Sequence, residues 1–270
     1  MFELREIDLF LGHRAILKSV TVKIEPGRFT AIVGPNGAGK SSLLRVLAGE
    51  LRPRSGAALF EGRPIHAVAA VHLASRRAVL PQSSQLAFPF TVYEVVRLGL
   101  DSRPGVSPAD RRIAPAKALE RVDLAGFGAR RYQQLSGGEQ QRVHLARVLC
   151  QIGEPVEEGR PQYLFLDEPT SSLDIRHQMA TLDIARDFAH RGGGVLAILH
   201  DLNFAAAFAD HVIVIHDGRV FAEGTPAEVI NDRLLAEVFG VPLRVGETPP
   251  YGTPFVLPRP SREGERQPSD

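Results

Sequence analysis

The stretch GPNGAGKSS, residues 34–42, decides the fold that this sequence predicts. It satisfies the pattern GxxxxGK[ST], follows a short apolar run (FTAIV, 29–33) and precedes a helical pattern (SLLRVLAG, 42–49). Glycines let backbone amides curl around phosphate oxygens, and the following helix adds partial positive charge at its start. We therefore predict a phosphate-binding loop in which Lys40 reaches the β and γ phosphates and Ser41 binds Mg²⁺. The residues predicted to hold the nucleotide are Gly34, Pro35, Asn36, Gly37, Ala38, Gly39, Lys40, Ser41 and Ser42.

Composition narrows the class of protein. The chain has 270 residues, 44% of them hydrophobic, which is enough to bury a substantial core. Lys and Arg number 32 against 31 Asp and Glu, so the charge balance gives no reason to expect a nucleic acid partner. The single cysteine, Cys150, is expected to be a buried apolar residue. Neither a signal peptide nor an apolar run of about 20 residues is present, so we expect a cytosolic chain or one held at a membrane by a partner.

Two kinds of strand pattern predict the fold class. FELREIDLF and AILKSVTVKI alternate apolar and polar residues, as antiparallel strands do, whereas YLFLD, VLAILH and HVIVIHDG are continuous apolar runs separated by helical stretches. Continuous runs of that kind indicate a parallel sheet covered on both faces. We predict an α/β protein: a nucleotide-binding core with a mostly parallel sheet, an N-terminal antiparallel β subdomain and a helical subdomain.

The predicted boundaries follow changes in composition. The core and its β subdomain are assigned to 1–82 and 150–245, and the helical subdomain to 83–149. The segment QIGEPVEEGRPQ, 151–162, is rich in Gly, Pro and charge and is predicted to be an exposed loop. The proline-rich end, 246–270, is predicted to be a loosely ordered tail.

Hydrolysis needs a metal-binding carboxylate and a group that acts on water, and YLFLDE supplies both. Asp167 ends a buried strand and is assigned to the metal, while Glu168 is assigned to the attacking water. Gln82 and His200 also follow predicted strands. Because ligands bind beyond the carboxyl ends of strands in such sheets, we expect these side chains to converge near Gly34.

A second glycine-rich helix start, LSGGEQQRV at 135–143, follows the helical insertion rather than a sheet strand. The same topology argument places it away from its own phosphate-binding loop. Ser136 as a cap, with Gly137 and Gly138, predicts a second anion site that serves another phosphate. An ordinary capped helix of the type S-x-x-E explains Ser136 and Glu139, but it does not explain two adjacent glycines that weaken the helix.

Taken together, GPNGAGKSS, Gln82, LSGGEQQRV, YLFLDEPTSSLD and His200 resemble the ATP-binding subunits of ABC transporters in order and spacing. The resemblance implies a head-to-tail homodimer that sandwiches two ATP molecules. In that arrangement, ATP on one subunit meets residues of the other, namely Ser136, Gly137, Gly138, Glu139 and Asp174. It also implies Mg²⁺ held among Ser41, Gln82 and Asp167, Glu168 as catalytic base, and catalytic roles for His200 at the γ phosphate and for Gln82.

The stretch RRAVLPQSSQLAFPFTVYEVVRLGL is especially similar to haemin-import ATP-binding proteins, in the group that includes ferric-siderophore and cobalamin importers. That similarity implies two copies of a multi-span permease, an indirect periplasmic haem-binding partner and a peripheral position on the cytoplasmic face of the inner membrane. Siderophore or cobalamin as cargo remains open. So do a soluble ABC ATPase that acts on DNA or ribosomes, and a P-loop metabolite kinase, although LSGGE disfavours the kinase.

One position departs from the family pattern. An aromatic residue usually stacks on adenine before the second strand, and FLGHR places Leu11 there. The adjacent Phe10 is expected to point to the other face of the strand. How adenine is held is therefore an open question for this sequence.

Overall fold

The first sheet is antiparallel and formed almost entirely by the N-terminal residues, as the alternating patterns predict. In the computed structural model, which describes residues 1–261 except 84, 85, 87 and 104, its strand order is β2-β1-β4-β5. The strands are β1 (Phe2–Leu11), β2 (Arg14–Ile24), β4 (Ser55–Phe60) and β5 (Arg63–Pro64). Every second residue over much of β1 and β2 is buried, which turns one face of this sheet toward the core.

The second sheet carries the continuous apolar runs. Its strand order is β12-β11-β3-β10-β9-β6, and every pair is parallel except β11 with β12. The strands are β3 (Arg28–Val33), β6 (Arg77–Leu80), β9 (Tyr163–Asp167), β10 (Gly194–Ile198), β11 (His211–His216) and β12 (Arg219–Gly224). All residues of β9 and β10 are buried. The predicted α/β class with an antiparallel N-terminal sheet and a mostly parallel sheet is confirmed.

Helices connect the parallel strands and fill the insertion between β6 and β9. They are α1 (Lys40–Leu47), α2 (Ala70–Arg76), α3 (Val92–Arg97), α4 (Pro108–Arg121), α5 (Gly137–Ile152), α6 (Ile175–His190), α7 (Leu202–Phe208), α8 (Pro226–Val229) and α9 (Asp232–Glu237). One apolar cluster joins the inner face of α5 to β6, β9 and β10, and a second lies between α1 and the antiparallel sheet. The phosphate-binding loop joins β3 to α1, and its Ala38 belongs to the second cluster.

The structure corrects the prediction of an exposed loop over residues 151–162. Gln151 and Ile152 are buried and complete α5, and Gln162 is only 2% exposed. Between them the chain forms a small hairpin, β7 (Val156–Glu157) with β8 (Arg160–Pro161). The prediction was wrong at both ends because polar composition was taken as exposure, whereas the Gln151 amide donates to the carbonyls of Ala74 and Arg77.

The predicted tail lies partly outside the described residues, beyond Ser261. Its described part, 246–261, contains a 3-10 turn at Pro250–Gly252 and reaches α6, where the backbone amide and hydroxyl of Ser261 both donate to the Asp183 carboxylate. Three positions of the stretch PQSSQLAFPF (84, 85 and 87) also lie outside the described residues. The subdomain boundaries predicted from the sequence remain a prediction.

Candidate active site

The glycine loop between β3 and α1 is shaped by backbone that only glycine adopts easily. Gly34, Gly37 and Gly39 all have positive φ, at 144°, 77° and 106°. A Cβ on Gly34 would overlap the carbonyl of Ile215 at the end of β11. The loop is therefore closely packed against the end of β11.

Lys40 is held inside this loop. Its Nζ donates to the carbonyl oxygens of Gly34 (2.8 Å) and Pro35 (2.9 Å), and the residue is buried. Burial lowers the pKa of the Lys40 ammonium, while the nearby carboxylates of Glu168 and Asp167 oppose that shift. The ammonium is thus directed at the loop interior, where phosphate oxygens can replace the two carbonyls as acceptors.

Asp167 and Ser41 form the predicted metal-binding pair. Asp167 ends β9 beside Ile198 of β10, and the Ser41 hydroxyl donates to its Oδ1 at 3.1 Å. Burial raises the pKa of the Asp167 carboxyl, and the Ser41 hydrogen bond opposes that shift. Hydroxyl and carboxylate oxygens are the donors Mg²⁺ prefers. No cluster of three or more His, Cys, Asp or Glu side chains suited to a metal occurs in the described part of the chain, so a bound Mg²⁺ would need phosphate or water oxygens as well.

Glu168 stands at the centre of the catalytic group predicted from the sequence. His200 Nε2 lies 2.6 Å from its Oε1, and Gln82 Nε2 donates to its Oε2 at 2.8 Å. These three residues follow β9, β10 and β6, which are neighbouring parallel strands. Glu168 has a left-handed backbone, with φ of 52°, which is uncommon outside glycine. Both carboxylate oxygens are thereby fixed in a partly enclosed position, where Glu168 can accept a proton from water.

The LSGGE helix start is a complete capping box. The amide of Glu139 donates to the Ser136 hydroxyl, and the Ser136 amide donates to the Glu139 carboxylate at 2.7 Å. This is the ordinary capped helix considered above, and it accounts for Ser136 and Glu139.

The two glycines beside this cap differ in their surroundings. A Cβ on Gly138 would lie 3.0 Å from the carbonyl oxygen of Ser172, whereas a Cβ on Gly137 would meet nothing within 4 Å. Gly138 is thus explained by close packing against the turn before α6. Gly137 faces open space.

The adenine position remains without an aromatic group at Leu11. The pairing of β1 with β2 is irregular between Leu9 and Phe10, and Phe10 and Leu11 are 36% and 48% exposed. Alternation along the strand is therefore interrupted at the point where the sequence argument used it to orient Phe10. The guanidinium of Arg54 lies 4.9 Å from the centre of the Phe10 ring, so one face of that ring is already covered.

A further cluster at the start of α6 was not predicted. Asp174 caps this helix, and its carboxylate lies 2.8 Å from His177 Nδ1; His177 Nε2 lies 3.5 Å from Asp123 Oδ2. The spacing of Asp174 and His177, three residues apart at a helix start, is the sequence signal that could have indicated the first contact. The second contact joins residues 54 positions apart and has no local signal.

Comparison with known proteins identifies the family. The family model described as ABC transporter matches residues 17–171. The chain belongs to the ABC transporter family. Among the curated relatives of this ABC transporter chain is the hemin import ATP-binding protein HmuV of Chelativorans sp. (strain BNC1), which is 53% identical over 96% of this chain and 98% of its own. HmuV of Ruegeria sp. (strain TM1040) is 54% identical over the same shares.

Solved structures agree with this ABC transporter fold. The structure titled ATP binding subunit of ABC transporter has a TM-score of 0.75 at 25% identity, covering 90% of this chain and 94% of its own. The dimeric ATP-binding cassette MJ0796, bound to ADP and Pi, has a TM-score of 0.73 at 26% identity over 84% of this chain and 99% of its own. The chain is accordingly an ATP-hydrolysing subunit of the ABC transporter type. Within the described residues, no helix is both long and apolar enough to span a bilayer.

Proposed function

We propose that the chain is the ATPase of an importer that carries haem, coupling ATP binding and hydrolysis to passage of haem through a membrane permease. The observation that supports this cargo is the 53% identity, over 96% of the chain, to a hemin import ATP-binding protein. An ATPase subunit need not touch its cargo, so the proposal rests on likeness across the whole chain rather than on a haem site.

The catalytic steps are assigned to residues whose positions are described above. The backbone N–H groups of 34–42, which Pro35 lacks, and the Lys40 ammonium bind the phosphates, and Glu168 accepts a proton from the attacking water. His200 contacts the γ phosphate once nucleotide is bound. Ser41, Asp167 and Gln82 would hold Mg²⁺, which supplies electrostatic stabilisation of charge on the phosphate oxygens. For Gln82 this requires leaving Glu168, to which it donates a hydrogen bond in this structure.

The second half of each ATP site is assigned to a second copy of the chain. The open space in front of Gly137 is consistent with an approaching phosphate, because the amides of 137 and 138 lie at a helix start. Asp174 and Glu139 would lie at the same interface. The dimeric arrangement of MJ0796, a relative of the same fold, supports this assignment.

The helical subdomain, 83–149, and the core, 1–82 with 150–245, are proposed to move against each other as the dimer closes. The Gln82 loop, which joins them, would grip the permease. The full assembly would then contain two copies of this chain and two permease copies on the cytoplasmic face of the inner membrane, with a periplasmic haem-binding protein contacting the permease.

The cargo can be tested in vesicles that contain the chain with a permease and binding protein of the haemin-import class. We expect ATP-dependent uptake of haem, and little uptake of a ferric siderophore or cobalamin. A matched preparation with Lys40→Ala should transport nothing, because phosphate binding is lost. Preferential uptake of either other cargo would contradict haem as cargo but leave the importer assignment. If none of the three cargoes is taken up while ATP hydrolysis is intact, the importer assignment itself is contradicted.

A further inference from the structure

The first turn of α6 contains a histidine between two carboxylates. His177 Nδ1 lies 2.8 Å from Asp174 Oδ1 and 2.9 Å from Oδ2, and the opposite ring nitrogen, Nε2, lies 3.5 Å from Asp123 Oδ2. The His177 side chain is 18% exposed, and its Nε2 has no hydrogen-bond partner within 3.5 Å at suitable geometry among the described residues. The imidazole thus bridges the start of α6 to the turn that follows α4.

That turn is fixed to the LSGGE helix. Arg142, on α5, donates from Nη1 to the carbonyls of Val122 (3.0 Å) and Asp123 (2.7 Å). The start of α5 also touches the turn before α6, where Gly138 lies against the Ser172 carbonyl. His177 therefore closes a ring of contacts that runs from Asp174 through the Asp123 turn to α5 and back to Ser172.

The charge of His177 decides how many of these contacts it can make. A neutral imidazole carries one N–H, so a ring that donates to Asp174 presents a lone pair to the Asp123 carboxylate, which is unfavourable. An imidazolium donates to both carboxylates, and such charge-assisted hydrogen bonds are the stronger kind. Two arginines among the described residues also lie near these carboxylates. Arg176 Nη2 is 3.4 Å from Asp123 Oδ2, and Arg142 lies near Asp123, Asp174 and Glu139.

We propose that His177 is a positioning residue: in its protonated form it ties Asp174 to the Asp123 turn, and so fixes Asp174 relative to the Ser136 helix start. This rests on the proposed function, in which both segments meet ATP held by the partner subunit. Closure of the ATP-bound dimer should then be favoured at low pH, where the imidazolium bridges both carboxylates. It should weaken at high pH, where a neutral imidazole donates to only one of the two carboxylates.

The test measures the ATP concentration that gives half-maximal dimerisation, by light scattering of the full chain with Mg²⁺. All samples carry Glu168→Gln so that hydrolysis does not reopen the dimer. Without a further change, we expect the required ATP concentration to be about fivefold higher at about pH 8 than at about pH 6, because a neutral imidazole loses one of the two hydrogen bonds to carboxylate. His177→Gln should lose this difference, because a glutamine amide is neutral at both pH values and cannot form charge-assisted hydrogen bonds to the two carboxylates.

The Asp123→Asn variant provides a second test in which His177 itself is unchanged. Asp123 has a left-handed backbone, with φ of 58°, which Asn tolerates well. Its amide can donate to the lone pair of neutral His177, so the tie should persist and the pH dependence should fall to near zero. His190→Gln is the matched control, since His190 pairs with Asp210 at the other end of α6 and should leave the fivefold rise intact.

A measurement of ATP affinity distinguishes the proposed positioning role of His177 from a general loss of structure in the variant. At protein concentrations too low for dimerisation, ATP affinity should be the same in His177→Gln and in its parent, because the phosphate-binding loop is untouched. A pH response that is unchanged in His177→Gln and in Asp123→Asn overturns the inference and leaves the shared site standing. If ATP binds and no dimer forms in any sample, the shared site of the proposed function fails, and this inference fails with it.

Discussion

The smallest unit to which the proposed mechanism assigns catalysis is one carboxylate, that of Glu168. Glu168 is fixed by His200 at 2.6 Å and by Gln82 at 2.8 Å, on two different oxygens. Glutamine has the same shape as glutamate and can keep both neighbours, but its amide cannot accept a proton from water. The side chain therefore offers a substitution that removes the base and leaves the geometry in place.

For Glu168→Gln we expect ATP binding to be retained and the rate of hydrolysis to fall by about 10²–10⁴-fold, the usual contribution of general base catalysis. Phosphate release measured at saturating ATP checks this. Glu223→Gln is the matched control and should hydrolyse ATP normally, because Glu223, on β12, lies 3.9 Å from His211 of β11 in a histidine–glutamate pair outside the site. Turnover near the parent rate in Glu168→Gln would assign the base elsewhere.

At the scale of elements, α5 is the central helix of the insertion between β6 and β9. It packs against α3, α4 and the edge strand β6, and its buried face contributes Val143, Ala146 and Leu149 to the main apolar cluster. A close approach of α5 to another segment lies at Gly99, in the turn after α3. A Cβ there would overlap the carbonyl oxygen of Arg147. The backbone of the turn thus lies directly on the backbone of the helix.

Gly99→Ala should therefore lower the free energy of unfolding by about 1–3 kcal/mol, the usual cost of overpacking. Denaturant unfolding of the nucleotide-free chain measures it. Gly128→Ala is the matched control in the same subdomain, since its Cβ would lie 3.6 Å from the Cβ of Tyr93, an ordinary contact. Its effect should stay within about 0.5 kcal/mol. Equal stability of the two variants would mean that α5 and the Gly99 turn separate at little cost.

At the scale of the whole molecule, the proposed function assigns the two glycine-rich helix starts to ATP sites shared between two copies of the chain. In a head-to-tail dimer each site takes its phosphate-binding loop from one subunit and Ser136 from the other. Ser136→Asp keeps a good helix cap but places a negative charge where phosphate would bind. The variant separates the anion role of Ser136 from its capping role.

Mixing equal amounts of Lys40→Ala and Ser136→Asp subunits should restore activity to about a quarter of the parent rate, because about half of the dimers then hold one complete site. Steady-state ATPase assays check this against each variant alone. Lys40→Ala mixed with Glu168→Gln is the control that should not recover, since both changes damage the site of their own subunit. Equal recovery in both mixtures would contradict sharing of the site between subunits.

Much of this architecture could be predicted because the residues that determine it lie close together in the sequence. Strand, glycine loop and helix follow one another at 29–49, and topology alone brought Gln82, Glu168 and His200 to one sheet edge. The pairing of His177 with Asp123 could not be predicted, because packing between α6 and the turn after α4 creates it. The end of α5 was misjudged for the same reason, since the partners of Gln151 lie 74 and 77 positions away.

The position of Gln151 has a mechanical consequence. A 16-residue α-helix is about 24 Å long and stiff along its axis. One end of α5 is the Ser136 cap, and the other is fastened through Gln151 to the carbonyl of Arg77, the first residue of the strand that leads to Gln82. The helix therefore connects two fixed points, and a displacement of its capped end along the axis would be transmitted to Arg77, at the start of the strand that leads to Gln82. In the proposed dimer, ATP bound by one subunit would in this way act on the strand that leads to Gln82 in the other subunit, and Gln82 donates a hydrogen bond to Glu168.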